Sequence, residues 1–379
     1  MSKEKLNLIV GCGLSGAVMA NKIANELDEK VVIIDRKDHI AGTCYDYKDI
    51  DTGITVHKYG PHIFRTNNKE VWDFLSKYTE WMPFMHNVLG IVDGNEVPVP
   101  FNLNSLYIVF PEQLAKKLEN KLIEKFGYNV KIKILELLQT DDKDLKLLAD
   151  FIYEKIFKEY TIKQWGFKPE ELDPSVTGSV PVFIGRDNRY FQEKYQGIPL
   201  NGYTKMFENM LSHKNIEIRL NTDYKNINEK HFDRIFYTGA IEEFFEYKFG
   251  KLPYRSLDIK ITTYDIDKFQ NAPVVNYPNN YDFTRIAEYK YFLKEQSNKT
   301  VLSFEYPKEF EIGKNERIYP ILNNSNTALY NKYLQEAILL ENIYFLGRLG
   351  AYKYYDMNRT ILGAFEVFEN IFNVKGSNK

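Results

Sequence analysis

Three periods of hydrophobic residues follow one another along this chain. Leu6–Val10 is an apolar run, Ala17–Leu27 carries apolar residues at helical spacing, and Val31–Ile34 is a second run of β-branched residues. A buried strand, a helix and another buried strand are predicted over 6–36, one βαβ unit. From Pro111 to about Tyr160 helical spacing returns, in "EQLAKKLENKLIEKF" and "LKLLADFIYEKIFKEY", with Lys and Glu on outer faces and Leu, Ile and Phe on inner ones. "TDDKD" (140–144) reads as an exposed connection between those helices. From about Leu252 to Tyr306 the period falls to two: "RSLDIKITTYDI", "APVVNY" and "KTVLSFEY" alternate as half-buried antiparallel strands do.

Two further apolar strands flank that sheet. "FDRIFYTGAI" (232–241) ends at a glycine turn, and "ENIYFLGRLGAYKYYDMNRTILGAFEVFENIF" gives a strand, a glycine-rich turn and a closing helix. Both read as returns to the first unit. The expected fold class is α/β: a Rossmann-like doubly wound domain over 1–79, 200–244 and 337–379, interrupted by a helical bundle over 103–175 and an antiparallel sheet over 80–102, 176–199 and 245–336.

Composition narrows the function classes. A net charge of −2 gives no general attraction to nucleic acid or to anionic membrane. Cys12 and Cys44 are the only cysteines, so a disulfide framework is excluded, and neither belongs to a metal-ligand pattern. No metal site is expected, and a reducing cytoplasm fits. The N-terminal stretch lacks the form of a signal peptide, because its apolar residues belong to the first strand, and no apolar run reaches membrane-spanning length. Tyr and Phe supply nearly all of an aromatic content of 15%. Most serve as core, but a Tyr-rich site suits stacked rings and phosphates.

Gly11, Gly13 and Gly16 give G-x-G-x-x-G directly after a strand and at a helix start. Gly11 permits the tight turn, Gly13 lets the backbone approach a pyrophosphate, and Gly16 allows close helix–strand packing. Leu14 and Ser15 lie within the motif. Asp35, followed by Arg36, ends the second strand where a carboxylate accepts hydrogen bonds from a ribose. The fingerprint serves NAD and FAD alike. A second glycine turn, Gly347–Gly350, favours the longer cofactor, FAD, which would reach it across the domain.

Four more segments carry a resemblance: "HKYGPHIFRTNNKEVWDF" (57–74), "EYTIKQWG" (159–166), "FTRIAEYKYF" (283–292) and "GRLGAYKYYDM" (347–357). Together with the glycine motif, in order from about residue 6 to about 370, they resemble the UDP-galactopyranose mutase family. That resemblance implies an isomerase interconverting pyranose and furanose forms of a nucleotide sugar, in which N5 of reduced FAD attacks the anomeric carbon with no net redox change. It also implies a cellular flavin reductant and a homodimer or higher homo-oligomer.

Residue roles follow from the same resemblance. Arg285 in "FTRI" matches the diphosphate arginine, and Tyr319 and Tyr354 match phenols that donate to the same phosphates; Arg255 matches another arginine near the site. Tyr160, Thr161 and Trp165, with Phe157 one turn earlier, match the uridine-binding segment, and Tyr190, Phe191 and Asn276 match further nucleoside contacts. His57, Gly60 and His62 match a segment along the flavin ring, and Gly42, Thr43, Arg348, Asp356 and Met357 match other FAD contacts.

The chain departs from the family pattern in three places. In "SVPVFIGRDNRYF" Phe183 stands where a loop arginine is usual, and Arg186 or Arg189 is expected to compensate. Arg65 follows "GPHIF" where a histidine is usual, placing a permanent charge near the sugar. "IAGTCYD" replaces the usual Gly-Gly-Asn, so Ala41 and Thr43 alter a cofactor turn. These departures suggest an altered sugar (N-acetylated, deoxy or heptose) or an altered base. A flavin oxidoreductase on the same fold and a binding homologue with impaired catalysis are the competing readings.

Overall fold

The computed structural model describes residues 5–173 and 180–372. Its first sheet is parallel, in the order Ile216–Arg219, Lys30–Ile34, Leu6–Val10, Arg234–Tyr237, Ile343–Phe345. Ile9, Ile33 and Phe236 share a core with helices Leu14–Glu26 and Met357–Phe372, while Leu8, Val32, Ile235 and Ile343 fill a second cluster. With both faces covered, these strands are apolar without alternation. The strands predicted at 232–241 and after Glu341 do return to this Rossmann-like sheet.

A seven-stranded sheet follows the order Tyr319–Pro320, Tyr254–Tyr264, Thr300–Glu309, Arg285–Glu288, Val274–Asn276, Val88–Val92, Asn95–Val99. Its pairs are antiparallel except Val274–Asn276 with Val88–Val92. Of the described part of 176–199, Val182–Ile184 pairs with Val130–Ile132, and Tyr195–Pro199 lies between Phe64–Thr66 and Trp81–Pro83 in a small separate sheet.

The helical stretch builds its own core from Leu106, Leu118, Leu122, Leu148 and Ile152. Its helical spacing conceals two interruptions: the strand Val130–Ile132 and a widened π-helical turn over Tyr153–Lys158. The predicted connection at 140–144 is shorter than expected. Asp142 accepts the amide N–H groups of Asp144 and Leu145 and so caps the helix Lys143–Ile152. No helix among the described residues is long and apolar enough to cross a membrane.

Candidate active site

A cleft of about 1420 Å³ begins at the glycine motif and runs between the two large sheets to the helical stretch. At its head the backbone dictates which residues fit. Gly11 has φ +103°, and a Cβ there would lie 2.1 Å from Thr238 Oγ1; one on Gly16 would lie 2.0 Å from the Gly11 carbonyl oxygen. Gly13 is the open member: a Cβ there meets only the Gly42 Cα, at 3.8 Å. A Cβ on Gly42 would lie 2.8 Å from the Gly13 Cα, so the two glycines pack backbone to backbone at a helix N-terminus, and both line the cleft with bare backbone that a dinucleotide pyrophosphate can approach. Gly347 (φ +79°) joins them: a Cβ on it would lie 2.7 Å from Ser15 Oγ, so the second glycine turn packs directly on the first.

Asp35 accepts the Cys12 amide N–H at 2.7 Å and the Lys37 amide N–H at 2.9 Å, which fixes its carboxylate in the cleft wall. Arg36 beside it is ion-paired with Glu243 at 2.7 Å. Leu14, Ser15, Gly42, Thr43, Asp356 and Met357 also line this end. The residues present fit a dinucleotide.

Further along, strand pairing sets Arg285 opposite Glu305. Arg285 Nε donates to Glu305 Oε2 at 2.8 Å, and no partner is found among the described residues for its two terminal nitrogens. Burial works against this charge, and Glu305 together with the Tyr160 and Tyr319 phenols outweighs it, so the guanidinium pKa stays well above its ordinary value. Glu305 is 1% exposed and its Oε1 has no hydrogen-bond partner. Tyr319, Tyr354 and Trp165 form one ring cluster, with centroids 5.4–5.8 Å apart. Burial pushes the Tyr319 phenol up to about 12, so it stays a donor at neutral pH.

Behind this cluster the helix Glu159–Trp165 and the strand end at Asn276 enclose a small aromatic lobe, lined by Phe157, Tyr160, Thr161, Trp165, Tyr190 and Asn276 among others. Tyr160, Tyr190 and Asn276 also line the main cleft, so the two spaces are continuous. Tyr160 is held neutral by burial.

A family model for UDP-galactopyranose mutase matches residues 155–354, and one for NAD(P)-binding Rossmann-like domains matches 9–78. The chain is 38% identical to a probable UDP-galactopyranose mutase of Klebsiella pneumoniae, covering 97% of this chain and 94% of that protein. The chain belongs to the UDP-galactopyranose mutase family. It is also 37% identical to the dTDP-fucopyranose mutase of Escherichia coli, over 95% of this chain and 96% of that one. A crystal structure of reduced UDP-galactopyranose mutase superposes with a TM-score of 0.74 at 14% identity, covering 98% and 94% of the two chains; a putative protoporphyrinogen oxidase from Exiguobacterium reaches 0.66 at 12%, covering 97% and 99%. At such identities the structures bear on the fold alone. The enzymes of the mutase family are isomerases.

Several residues expected at the mutase site stand elsewhere. Arg186 does not line the cleft: it pairs with Glu119 at 2.6 Å and lies over the Tyr107 ring, on the outside of the helical stretch. Arg189 is closed on Asp187. Phe183 is buried, its ring against Gly185. Neither arginine lines the cleft in this structure; Ser179 in the same stretch lies outside the described residues. Arg255 also stays out of the cleft, donating to the carbonyls of Lys163 and Gln164, both at 2.9 Å, where the helix ends at Gly166.

His57 is buried behind the wall and accepts the His62 amide N–H on Nδ1 at 2.9 Å. The bare Cα of Gly60 makes room for Glu305, whose Oε1 would lie 2.9 Å from a Cβ there. His62 itself lines the cleft; burial lowers its pKa to about 3, so Nδ1 carries the proton it donates to the Gly60 carbonyl and Nε2 is an acceptor. Arg348 lines the cleft but donates to the carbonyls of Ile318 and Tyr355, bracing the neighbours of Tyr319 and Tyr354. Arg65 lies in the cleft wall, 4.1 Å above the Phe191 ring and 2.5 Å from Glu193.

Two residues at the site escaped the sequence reading, Glu305 buried behind Arg285 and His86 in the cleft wall. Glu305 sits in the buried phase of "KTVLSFEYP", and an acid at an inward position of an alternating strand is a usable signal. His86 lines the cleft between Tyr190 and Phe191 with Nδ1 buried and unpartnered, and nothing in "FMHNV" announces it.

Proposed function

We propose that this chain interconverts the pyranose and furanose forms of a nucleotide sugar, UDP-galactose or a close relative, with FAD bound in reduced form. The observation that carries this reading is Arg285. Its Nε is spent on Glu305, and its fork points into a cleft that joins a dinucleotide cradle to an aromatic lobe. Reduced flavin, when bound, supplies the nucleophile for the anomeric carbon. The chain does the rest. Tyr160 and Trp165 stack against the base, and Arg285, Tyr319 and Tyr354 hold the diphosphate as it leaves and returns. Neutral His62 offers an acceptor to the sugar side without adding charge. With similar identity to a galactose and a fucose mutase, the chain leaves its sugar open. Arg65, fixed over Phe191 by Glu193, favours a sugar altered from galactose.

The test is incubation of the reduced holoenzyme with UDP- and dTDP-sugars, resolving ring isomers by chromatography. Furanose product without stoichiometric flavin oxidation supports the reading. Steady flavin oxidation coupled to substrate change replaces it with an oxidoreductase, and tight binding without turnover replaces it with an impaired homologue.

A further inference from the structure

The nucleotide lobe has two walls that belong to different parts of the fold. The helix Glu159–Trp165 carries Tyr160, Thr161 and Trp165, and the turn joining Val274–Asn276 to Arg285–Glu288 carries Asn276 at one end and Arg285 at the other. Lys163 joins them. Its ammonium leaves the helix and donates to the carbonyl oxygens of Tyr277, Tyr281 and Phe283, at 2.5, 3.0 and 3.0 Å. An ammonium has three N–H donors, and the backbone of one turn takes all of them. Asn279 adds a bond from Nδ2 to the Lys155 carbonyl at 2.8 Å, and Arg255 grips the carbonyls of Lys163 and Gln164 from the sheet. Lys163 does not itself line the cleft.

We propose that Lys163 is a positioning residue for nucleotide recognition, which by gripping the 277–283 turn sets Asn276 and Arg285 at working distance from Tyr160 and Trp165. This rests on the nucleotide-sugar reading above. The grip needs the ammonium: a neutral amine has two N–H groups for three carbonyls and turns its lone pair on the third oxygen. Burial lowers this lysine to about 8, against the pull of Glu159 on its own helix and Asp282 on the turn. Of the other charges on the elements packed there, Arg255 reaches only carbonyls, and Arg285 is paired with Glu305. Nucleotide affinity therefore carries a basic limb near the lysine's titration, a limb that an arginine at 163 would lack.

The experiment measures binding of UDP and of dTDP to the holoenzyme by calorimetry from pH 6.5 to 9, with flavin content from absorbance as the control for folding. In the unmodified protein, binding weakens about tenfold between pH 7 and 9, the loss of one hydrogen bond from a charged donor. Lys163→Met binds ten- to a hundredfold more weakly than the unmodified protein at pH 7, by the same arithmetic, shows no basic limb of its own, and raises KM far more than it lowers kcat. Lys163→Arg keeps tight binding and flattens the basic limb. A Lys163→Met protein with full affinity, or a Lys163→Arg protein with the limb unchanged, overturns the proposal; should the methionine variant not fold, the arginine profile decides alone. If the unmodified protein binds neither nucleotide and converts no sugar, the underlying reading falls as well, whereas tight binding with an unaltered Lys163→Arg profile removes only the lysine's role.

Discussion

Replacing Arg285 by Ala perturbs stability and catalysis together, and the structure says how to separate them. Glu305 is 1% exposed, and the hydrogen bond its carboxylate takes among the described residues comes from Arg285 Nε at 2.8 Å. Removing the guanidinium leaves a carboxylate buried and alone, an effect worth about 3–5 kcal/mol when one partner of a buried pair is deleted. The Arg285 side chain keeps 27% exposure, so water entering the gap places the expectation at the lower end, about 3 kcal/mol. On the proposed reading the same change removes both terminal nitrogens from the diphosphate grip, and each lost charge-stabilising donor lowers turnover by about 10²–10³. The double variant Arg285→Ala/Glu305→Ala removes the stranded charge with its partner. It is expected to recover much of the thermal midpoint lost by the single variant while staying as inactive. The assay is chromatographic turnover of the ring isomers beside thermal scans of the flavin-loaded protein at one rate. A single variant as stable as the parent, or either variant retaining a tenth of its turnover, would refute the assignment of this pair.

Gly13→Val should fold, since a Cβ at 13 meets only the Gly42 Cα at 3.8 Å, but should lose flavin because its side chain covers the bare backbone a pyrophosphate approaches; flavin absorbance of the purified protein reads this directly. Arg186→Ala should leave nucleotide affinity within about twofold by calorimetry, because Arg186 is 46% exposed and its partners Glu119 and Tyr107 lie outside the cleft; such part-exposed pairs contribute about 1 kcal/mol at most to stability. His57, His62 and His86 are all lowered by burial to about 3, so between about pH 6.5 and 3 the unfolded chain binds more protons than the folded one. Stability is then complete above pH 6.5 and falls as pH drops; His86→Leu should make that fall shallower by one proton in thermal scans, and an unchanged slope would contradict the burial.

The legible parts of this molecule were those whose signal is local. Strand, glycine turn, helix and acid lie within 6–36, and each glycine of the motif sits where a side chain would crowd a neighbour or the backbone approach: Gly11 against the Thr238 side chain, Gly16 against the Gly11 carbonyl, Gly13 against the Gly42 backbone. The aromatic residues of "EYTIKQWG" likewise reach one lobe because a single helix carries them. Arg255 and Arg186 were harder to read. As sequence both are arginines near suitable segments, yet one ends on helix carbonyls and the other on Glu119 outside the cleft, because an arginine reaches whichever acceptor packing brings near.

By itself the sequence determined the α/β class, the dinucleotide cradle and the order of the segments that build the cleft, since periodicity and glycine placement act over a few residues of chain. Tertiary structure alone decided which charges face that cleft. Arg285 points its fork inward because a strand register sets Glu305 beside its Nε, and Lys163 turns to three carbonyls because a hairpin from another part of the chain folds against its helix. Charge pairing of this kind depends on distances between residues far apart in sequence, and those distances exist only once the sheets and helices have packed.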